Sequence, residues 1–428
     1  MTRKGIWDIQ DVRDKLLAGD PWERYNNVFT AGSGDAGNLG QNTQLGPSAI
    51  AEVTKIPTTA ETRDFTSVRS LSRNKFAITS NNELFSWGYN NQGQLGQNQG
   101  YPPSYLGYKA RSVPVQIPGT TWDSVAGGPG RYGWFATKTD GTLWFTGGNN
   151  QLQKGSYPSS STGFSSPIQV SGTSWAKNDG QAGQWKICTD EQAAFAITSD
   201  GKLYGWGRND AGNLGQNQGG PTNYEINPDQ IGTDTTWQYI AVSGYDHKSS
   251  TWGIKTDGTL WAWGSNDLVG ALGLNETSPA YRSSPCQVGT NTTWSSISGG
   301  TGAPWGNMAM ALKTDGSVWA WGKSDYGASG TNQAAFSYSS PRQVPGTWDM
   351  AVTSGTVSLL HKPDGTGWIV GDLSAANMQN PAGGNLMSSP VLLPSAVDWD
   401  KSKMDINAVF GSSHSLATIS PNLTPTQV

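Results

Sequence analysis

A strand-like pentad recurs along almost the whole chain, and this recurrence limits the possible fold more than any other feature. Its clearest copy is Leu260-Trp261-Ala262-Trp263-Gly264. Related stretches are Val28-Phe29-Thr30-Ala31-Gly32, Leu84-Phe85-Ser86-Trp87-Gly88, Leu143-Trp144-Phe145-Thr146-Gly147, Leu203-Tyr204-Gly205-Trp206-Gly207, Val318-Trp319-Ala320-Trp321-Gly322 and Gly367-Trp368-Ile369-Val370-Gly371. The closing glycines of these seven copies lie 49 to 60 residues apart, which is regular enough to mark a structural repeat. A chain of 428 residues could hold two or three ordinary domains; the repeat argues instead for one closed assembly of similar units.

Each pentad sits inside a longer unit. Two-residue turns stand before five of them, Asp140-Gly141, Asp200-Gly201, Asp257-Gly258, Asp315-Gly316 and Asp364-Gly365, and Asn81-Asn82 stands before a sixth. These residues tolerate the positive φ of a tight hairpin. Upstream of each turn lies a partner strand: Lys75 to Thr79, Trp134 to Lys138, Ala193 to Thr198, Thr251 to Lys255, Met308 to Lys313 and Val357 to Lys362. Further upstream a Trp opens another strand, as at Trp122, Trp237 and Trp294. Downstream come Gly-x-Leu-Gly (Gly37, Gly93 and Gly212 begin clear copies), a variable loop and a strand such as Ser112 to Ile117. A unit therefore supplies about four strands.

Alternate side chains of a strand point to opposite sides, so Trp261 and Trp263 share one face while Leu260 and Ala262 share the other. Both faces are apolar, as a blade packed between two neighbours requires. The expected fold is all-β: a seven-bladed β-propeller with four-stranded antiparallel blades. Its closing blade is shared by N- and C-terminal strands, because Val28 to Gly32 has no hairpin partner before it and His414 to Ile419 has no pentad after it. Residues 28–420 form the expected propeller and 421–428 a C-terminal tail. Residues 1–27 form an arm in which Asp8 can cap a short amphipathic helix with Ile9, Val12, Leu16 and Leu17 on one stripe. Either this helical arm packs on its own propeller, or it docks the body onto another chain through Trp7, Ile9, Val12, Leu16 and Trp22.

Composition narrows the function. Charged residues make up 14% of the chain, against roughly 25% in ordinary soluble domains. A net charge of -4 and a pI near 5.4 give no footprint for nucleic acid. No signal peptide is recognisable, and no apolar run approaches the length of a membrane span, so membrane insertion is not expected. Cys188 and Cys286 belong to no metal-type pair; burial as small apolar residues is one reading, and a disulfide between them is the other. His247, His361 and His414 fall in different units, the latter two at packed strand positions, and do not form a metal triad. Walker, HExxH and GxSxG motifs are absent from the sequence, and hairpin turns account for the recurrent Thr-Asp-Gly carboxylates. Neither catalysis nor a cofactor is expected.

Together, Trp-x-x-Val/Ile-x-x-Gly and Ala-Leu/Ile-Lys-Thr-Asp-Gly-x-Leu/Val-Trp-x-Trp-Gly-x-Asn-x-x-Gly-x-Leu-Gly resemble the RCC1 (regulator of chromosome condensation) repeat across residues 28–420. The resemblance implies seven-bladed propellers with a split closing blade, with degraded copies at Asn150 to Gly155 and after Gly371, and it leaves function open. The family's founder is a nucleotide-exchange factor for a small GTPase that also binds chromatin; this chain lacks a basic tail. Another member type is a secreted β-lactamase inhibitor, for which the expected signal peptide is missing. The opening Gly5 to Lys15 and the Gly/Asn/Gln/Thr/Ser-rich texture are similar to RCC1-repeat structural proteins of tailed bacteriophages. That likeness implies a non-enzymatic virion component (tail, neck, fibre or capsid surface), assembled in the host cytoplasm into a larger symmetric particle. Its partners would be other virion structural proteins and a host-surface glycan or protein. The alternative is a free RCC1-like module that regulates or inhibits a partner protein.

The variable loops after Gly-x-Leu-Gly fall at the same point of every unit, so ring symmetry places them on one face. They carry Tyr101, Tyr105, Tyr108, Tyr157, Phe164, Tyr224, Tyr281, Phe336 and Tyr338 among Ser, Gly, Asn and Pro. Such a mixture offers rigid amphipathic contact area with adaptable hydrogen bonding. These rings either cover blade edges or form a binding surface.

Overall fold

The structure, a computed structural model, describes residues 26–33, 49–55, 64–71, 74–90, 92–98, 110–127, 133–149, 155, 163–172, 174–178, 183–190, 193–219, 224–245, 248–266, 269–302, 306–324, 326–333, 336–372, 386–393, 404–409 and 413–421. Two strands come first, β1 (Asn26–Ser33) and β2 (Ala49–Lys55). Six runs of four follow. The first run is β3 (Phe65–Leu71), β4 (Asn74–Thr79), β5 (Leu84–Gly88) and β6 (Arg111–Ile117); the second is β7 (Trp122–Ala126), β8 (Gly133–Lys138), β9 (Leu143–Gly147) and β10 (Phe164–Gln169). The third is β11 (Ile187–Thr189), β12 (Ala193–Ile197), β13 (Leu203–Arg208) and β14 (Tyr224–Gln230); the fourth is β15 (Trp237–Tyr245), β16 (Lys248–Lys255), β17 (Leu260–Ser265) and β18 (Tyr281–Gln287). The fifth is β19 (Trp294–Gly302), β20 (Gly306–Lys313), β21 (Val318–Ser324) and β22 (Phe336–Val344); the sixth is β23 (Met350–Thr353), β24 (Val357–His361), β25 (Gly367–Asp372) and β26 (Leu386–Leu392). The chain then supplies β27 (Met404–Val409) and β28 (Ser413–Pro421).

Each run of four is one antiparallel blade in which sequence neighbours are sheet neighbours. Asx-Gly turns close the hairpins between second and third strands: Gly141, Gly201, Gly258, Gly316 and Gly365 all have φ between 76° and 85°. First strands of successive blades pack on one another, β11 against β15, β15 against β19 and β19 against β23, so they ring the axis and the fourth strands lie outside.

The expected count of seven blades needs correction. Six blades, not seven, are contiguous four-strand units, and no helix occurs among the described residues. The stretch expected to be helical, including Trp7, Ile9, Val12, Leu16 and Trp22, lies outside those residues. The four remaining strands form a separate sheet in the order β2-β1-β28-β27, put together from both ends because neither end supplies a full unit. In it β1 runs antiparallel to β28, from Asn26 opposite Pro421 to Gly32 opposite Ser415. Val28 of this sheet is buried with Phe65, Val68, Phe85 and Trp87 of the first blade.

The core is a set of seams rather than one centre. Trp263, on one face of β17, packs with Phe195, Leu203, Leu214 and Ile231 of the third blade. Leu260 and Ala262, on the other face, pack with Ile297, Ala309, Ala311 and Trp321 of the fifth. Trp206 and Trp321 occupy the equivalent seam positions one blade before and after. Burying a ring of this size contributes on the order of 2–3 kcal/mol through removed apolar area, which makes seam aromatics the main cohesive element between blades.

Two irregularities shape the surface. In every contiguous blade a bulge in the fourth strand sets three of its residues against one of the third: Gly207 pairs with Glu225 but Gly205 with Asp229, and Gly322 pairs with Tyr338 but Ala320 with Arg342. Residues four apart are thereby drawn together. The third blade also carries extra chain between Trp175 and Ile187, where other blades pass straight from Trp into the first strand. Residues 183–185 of this segment reach the first strands of the first, fourth and fifth blades. The Gly183 carbonyl accepts from Ile297 N–H at 2.9 Å and the Trp185 carbonyl from Ile240 N–H at 2.8 Å. The Gln184 amide donates to the Ser295 carbonyl at 3.4 Å, and the Arg69 guanidinium stacks on the Trp185 ring at 4.3 Å.

Candidate interaction surface

At the hairpin end of the blades, sequence and packing produce a repeated stack. The Trp that opens the first strand and the first aromatic residue of the third lie on either side of the last residue of the second. In the fourth blade Lys255 Nζ sits 4.9 Å from the Trp237 ring and 4.0 Å from Trp261. The fifth blade has Lys313 between Trp294 (4.7 Å) and Trp319 (4.3 Å). The second and sixth repeat the arrangement with Lys138 between Trp122 and Trp144, and Lys362 between Trp348 and Trp368. Beneath each stack the turn aspartate accepts from a hydroxyl two residues on, which in turn accepts from the Trp indole: Asp257 from Thr259 at 2.6 Å, and Thr259 from Trp261 at 2.9 Å. That hydroxyl hydrogen bond is the main reason the Asp140, Asp257, Asp315 and Asp364 carboxyls are held below the ordinary carboxylate range. These carboxylates are turn fixtures, and their chemistry is spent on the hairpin.

At the opposite end, the loop after the pentad clasps the next blade. Asn98, Asn217, Asn275 and Asn332 all adopt φ between 52° and 64°. Their backbone N–H groups donate across the seam to the carbonyls of Ser165, Ser283, Ser339 and Ser388 at 2.6 to 2.9 Å. Three also accept from the following serine hydroxyl, Ser166, Ser284 and Ser389. Gly212 and Gly270 lie so near Ser283 and Ser339 that a Cβ on either would meet backbone within 2.6 Å. Clasp and glycine together fix the loop against its neighbour, so what the loop carries is held rigidly.

The clasped ends carry the aromatic residues singled out above. Phe164, Tyr224, Tyr281 and Phe336 are the first residues of β10, β14, β18 and β22, equivalent places on the outer rim. Tyr281 is 47% exposed. Phe164 packs edge-on against Phe145. Tyr224 lies under the Arg208 guanidinium at 5.7 Å. Tyr338 lies under Arg342 at 5.7 Å and its hydroxyl donates to Gln333. Leu386, first in β26, is 54% exposed and continues the rim, a position that sequence reading passed over because it is aliphatic. Tyr101, Tyr105, Tyr108 and Tyr157 lie outside the described residues.

A groove of about 400 Å³ opens on the outer seam between the third and fourth blades. Gln216, Asn217 and Gln218 line it from the clasp loop, Glu225 and Asp229 from β14, Asp234 from the connection, and Trp237, Lys255 and Trp261 from the stack. Lys255 is already held by Asp234 at 2.8 Å. Burial, and then the neighbouring Asp229 carboxylate, push the Glu225 carboxyl above its usual range. The groove was not legible in the sequence, since it depends on the bulge and on a seam between units.

The remaining singular groups are structural. His361 is buried with Nδ1 2.6 Å from Asp349 Oδ1. Cys188 and Cys286 are both free thiols, and burial pushes the Cys188 thiol well up. Among the described residues no group of three His, Cys, Asp or Glu side chains is placed to hold a metal. His247 lies outside the described residues.

The family model for the regulator of chromosome condensation (RCC1) repeat matches residues 81–130 and 200–247. Mouse E3 ubiquitin-protein ligase HERC2 is 25% identical over 297 residues, covering 67% of this chain, and the human protein is 24% identical over the same length. The match spans only 6% of the length of either ligase. Among solved structures, Prp20p from Saccharomyces cerevisiae, described with its binding properties to Gsp1p and histones, superposes with a TM-score of 0.72 at 15% identity. That superposition covers 94% of this chain and 93% of the yeast one. Human WBSCR16 superposes at 0.70 with 14% identity, covering 94% of this chain and all of that one (100%). At such identities the superpositions establish the fold alone. The molecule is a β-propeller of tandem four-stranded units joined by seam aromatics and inter-blade clasps. Two stretches of the chain match the RCC1 repeat, and its fold is that of the RCC1-repeat β-propellers.

Proposed function

We propose that this propeller is a non-enzymatic protein-interaction module whose outer rim, at the clasped end of the blades, meets the partner. One observation carries the reading: equivalent rim positions repeat an exposed or half-exposed large side chain, Phe164, Tyr224, Tyr281 and Leu386, at the starts of fourth strands, which the inter-blade clasp holds at β10, β18 and β26. Large rings on an immobilised frame lose little entropy on association, which favours their use as contact anchors. A photo-crosslinking residue at Tyr281 should couple the chain to one protein partner, whereas the same residue at Thr256, on the hairpin end, should not. Equal coupling at both places refutes the rim assignment.

The finer reading is that the partner is another component of a bacteriophage particle. Its support is the similarity of the opening Gly5 to Lys15 to phage RCC1-repeat proteins, together with a texture poor in charge and rich in Gly, Asn, Gln, Ser and Thr. In that case the protein is recovered stoichiometrically from purified virions, and deletion of residues 1–27 abolishes incorporation. A free regulatory module is instead absent from particles and binds its partner without those residues. The RCC1 and HERC2 similarities favour this second form, since both are cellular proteins.

A further inference from the structure

The fourth-strand bulge brings together two side chains in every contiguous blade, and the six blades fill those positions differently. The fifth blade places Arg342 over Tyr338, a cation on a ring. The fourth has Arg282, tied to Glu276 at 2.6 Å, together with Cys286. The first has Arg111 with Val115, the second Phe164 with Ile168 and the sixth Met387 with Val391. Only the third blade sets two acids there, Glu225 opposite Gly207 and Asp229 opposite Gly205. No ion pair among the described residues engages either one. Two like charges held close by backbone geometry are unfavourable, and the cost is relieved when an outside cation enters.

The surroundings suit such a guest. Both carboxylates line the seam groove of about 400 Å³, in which Trp261 supplies apolar wall and Gln216, Asn217 and Gln218 supply amides. Three carboxylates face one lysine, and that lysine is already paired with Asp234, so the lining is left with a surplus of negative charge. A guanidinium is planar, carries five donors and stacks on aromatic carbon, which matches paired carboxylates beside a tryptophan better than a compact ammonium does. We propose that the groove between β14 and β17 receives an arginine side chain from a protein partner, with Glu225 and Asp229 taking the guanidinium and Trp261 flanking its stem. The assignment deepens the reading of the rim as a protein-binding surface and rests on it.

The probe is a blocked Gly-Gly-Arg-Gly-Gly peptide titrated into the full chain by calorimetry, with the citrulline peptide as its uncharged isostere. The arginine peptide should bind in the millimolar range and the citrulline peptide about tenfold more weakly or not at all. The double variant Glu225→Gln, Asp229→Asn, isosteric and on the surface, should lose the arginine preference with an unchanged thermal melt. Asp229→Arg, which copies the fifth blade at Arg342, should fill the groove from within and abolish binding. Equal affinity for the two peptides, no binding of either, or an undiminished preference in the double variant overturns the proposal. If the peptide results hold while crosslinking at Tyr281 gives no partner, the arginine pocket stands and the rim reading falls. If crosslinking succeeds and the peptides fail, only the pocket falls.

Discussion

The hairpin ends of the third and fourth blades follow the same plan with one cation moved. In the fourth, Lys255 lies between Trp237 and Trp261 and reaches Asp234 at 2.8 Å. In the third, Thr198 stands where that lysine would be, the rings are Trp175 and Tyr204 packed edge-on at 5.5 Å, and the cation has shifted into the turn as Lys202, paired with Asp200 at 2.7 Å. One blade places its charge between rings and the other leaves it in solvent. Surface ion pairs of the second kind contribute little, whereas an ammonium desolvated between two indoles contributes up to about 2 kcal/mol. The difference shows that the stack reinforces a blade, while the seam aromatics make the blade possible, since the third blade keeps its place without the lysine.

The comparison breaks most visibly at the seam. Trp263→Ala empties a fully buried site and removes the indole donor to the Asn213 carbonyl, so it should cost about 3–5 kcal/mol by denaturant melting. If the loss is no greater than for Lys255→Met, the ranking of seam over stack is wrong. Lys255→Met itself should cost about 1–2 kcal/mol, and Lys313→Met less, because Lys313 lacks an equivalent of Asp234. Burial pushes the Lys313 ammonium below its ordinary value, so its folded state favours the neutral form; that penalty is present at neutral pH and fades as pH rises through the folded value. Lys202→Met in the third blade should leave the melt almost unchanged. The smallest effect concerns acid. Asp257 is held low mainly by Thr259, so its contribution is complete above the unfolded carboxylate value of about 3.9 and is lost as pH falls through the lower folded value. Asp257→Asn should flatten stability over that acidic window. Asp200 is held low chiefly by Lys202, so its carboxyl should titrate nearer the ordinary value in Lys202→Met, as read by NMR.

Much of this is legible in the sequence. Strand order within a blade follows from hairpins, whose determinants, Asp-Gly turns and alternating apolar residues, are local. The lysine stack was also within reach: the Lys-Thr-Asp-Gly-x-Leu-Trp sequence sets Lys255 and Trp261 on adjoining strands. What escaped was set by partners one unit away. The Asn217 clasp depends on Ser283, and the groove needs β14 and β17 from different blades. The pairing of Glu225 with Asp229 requires a bulge, because on a regular strand residues four apart are roughly 13 Å from each other. Residues 183–185 carry no such sign in the sequence either, since their contacts lie in the first, fourth and fifth blades.

The sheet assembled from both chain ends sets how the molecule bears load. Asn26 and Pro421 face each other across the last rung between β1 and β28. Tension applied at these two residues therefore peels that ladder one rung at a time, with no set of bonds resisting together. The ring is strong against forces carried through its blades and opens most easily from this corner, so any anchor attached there would act as a release point.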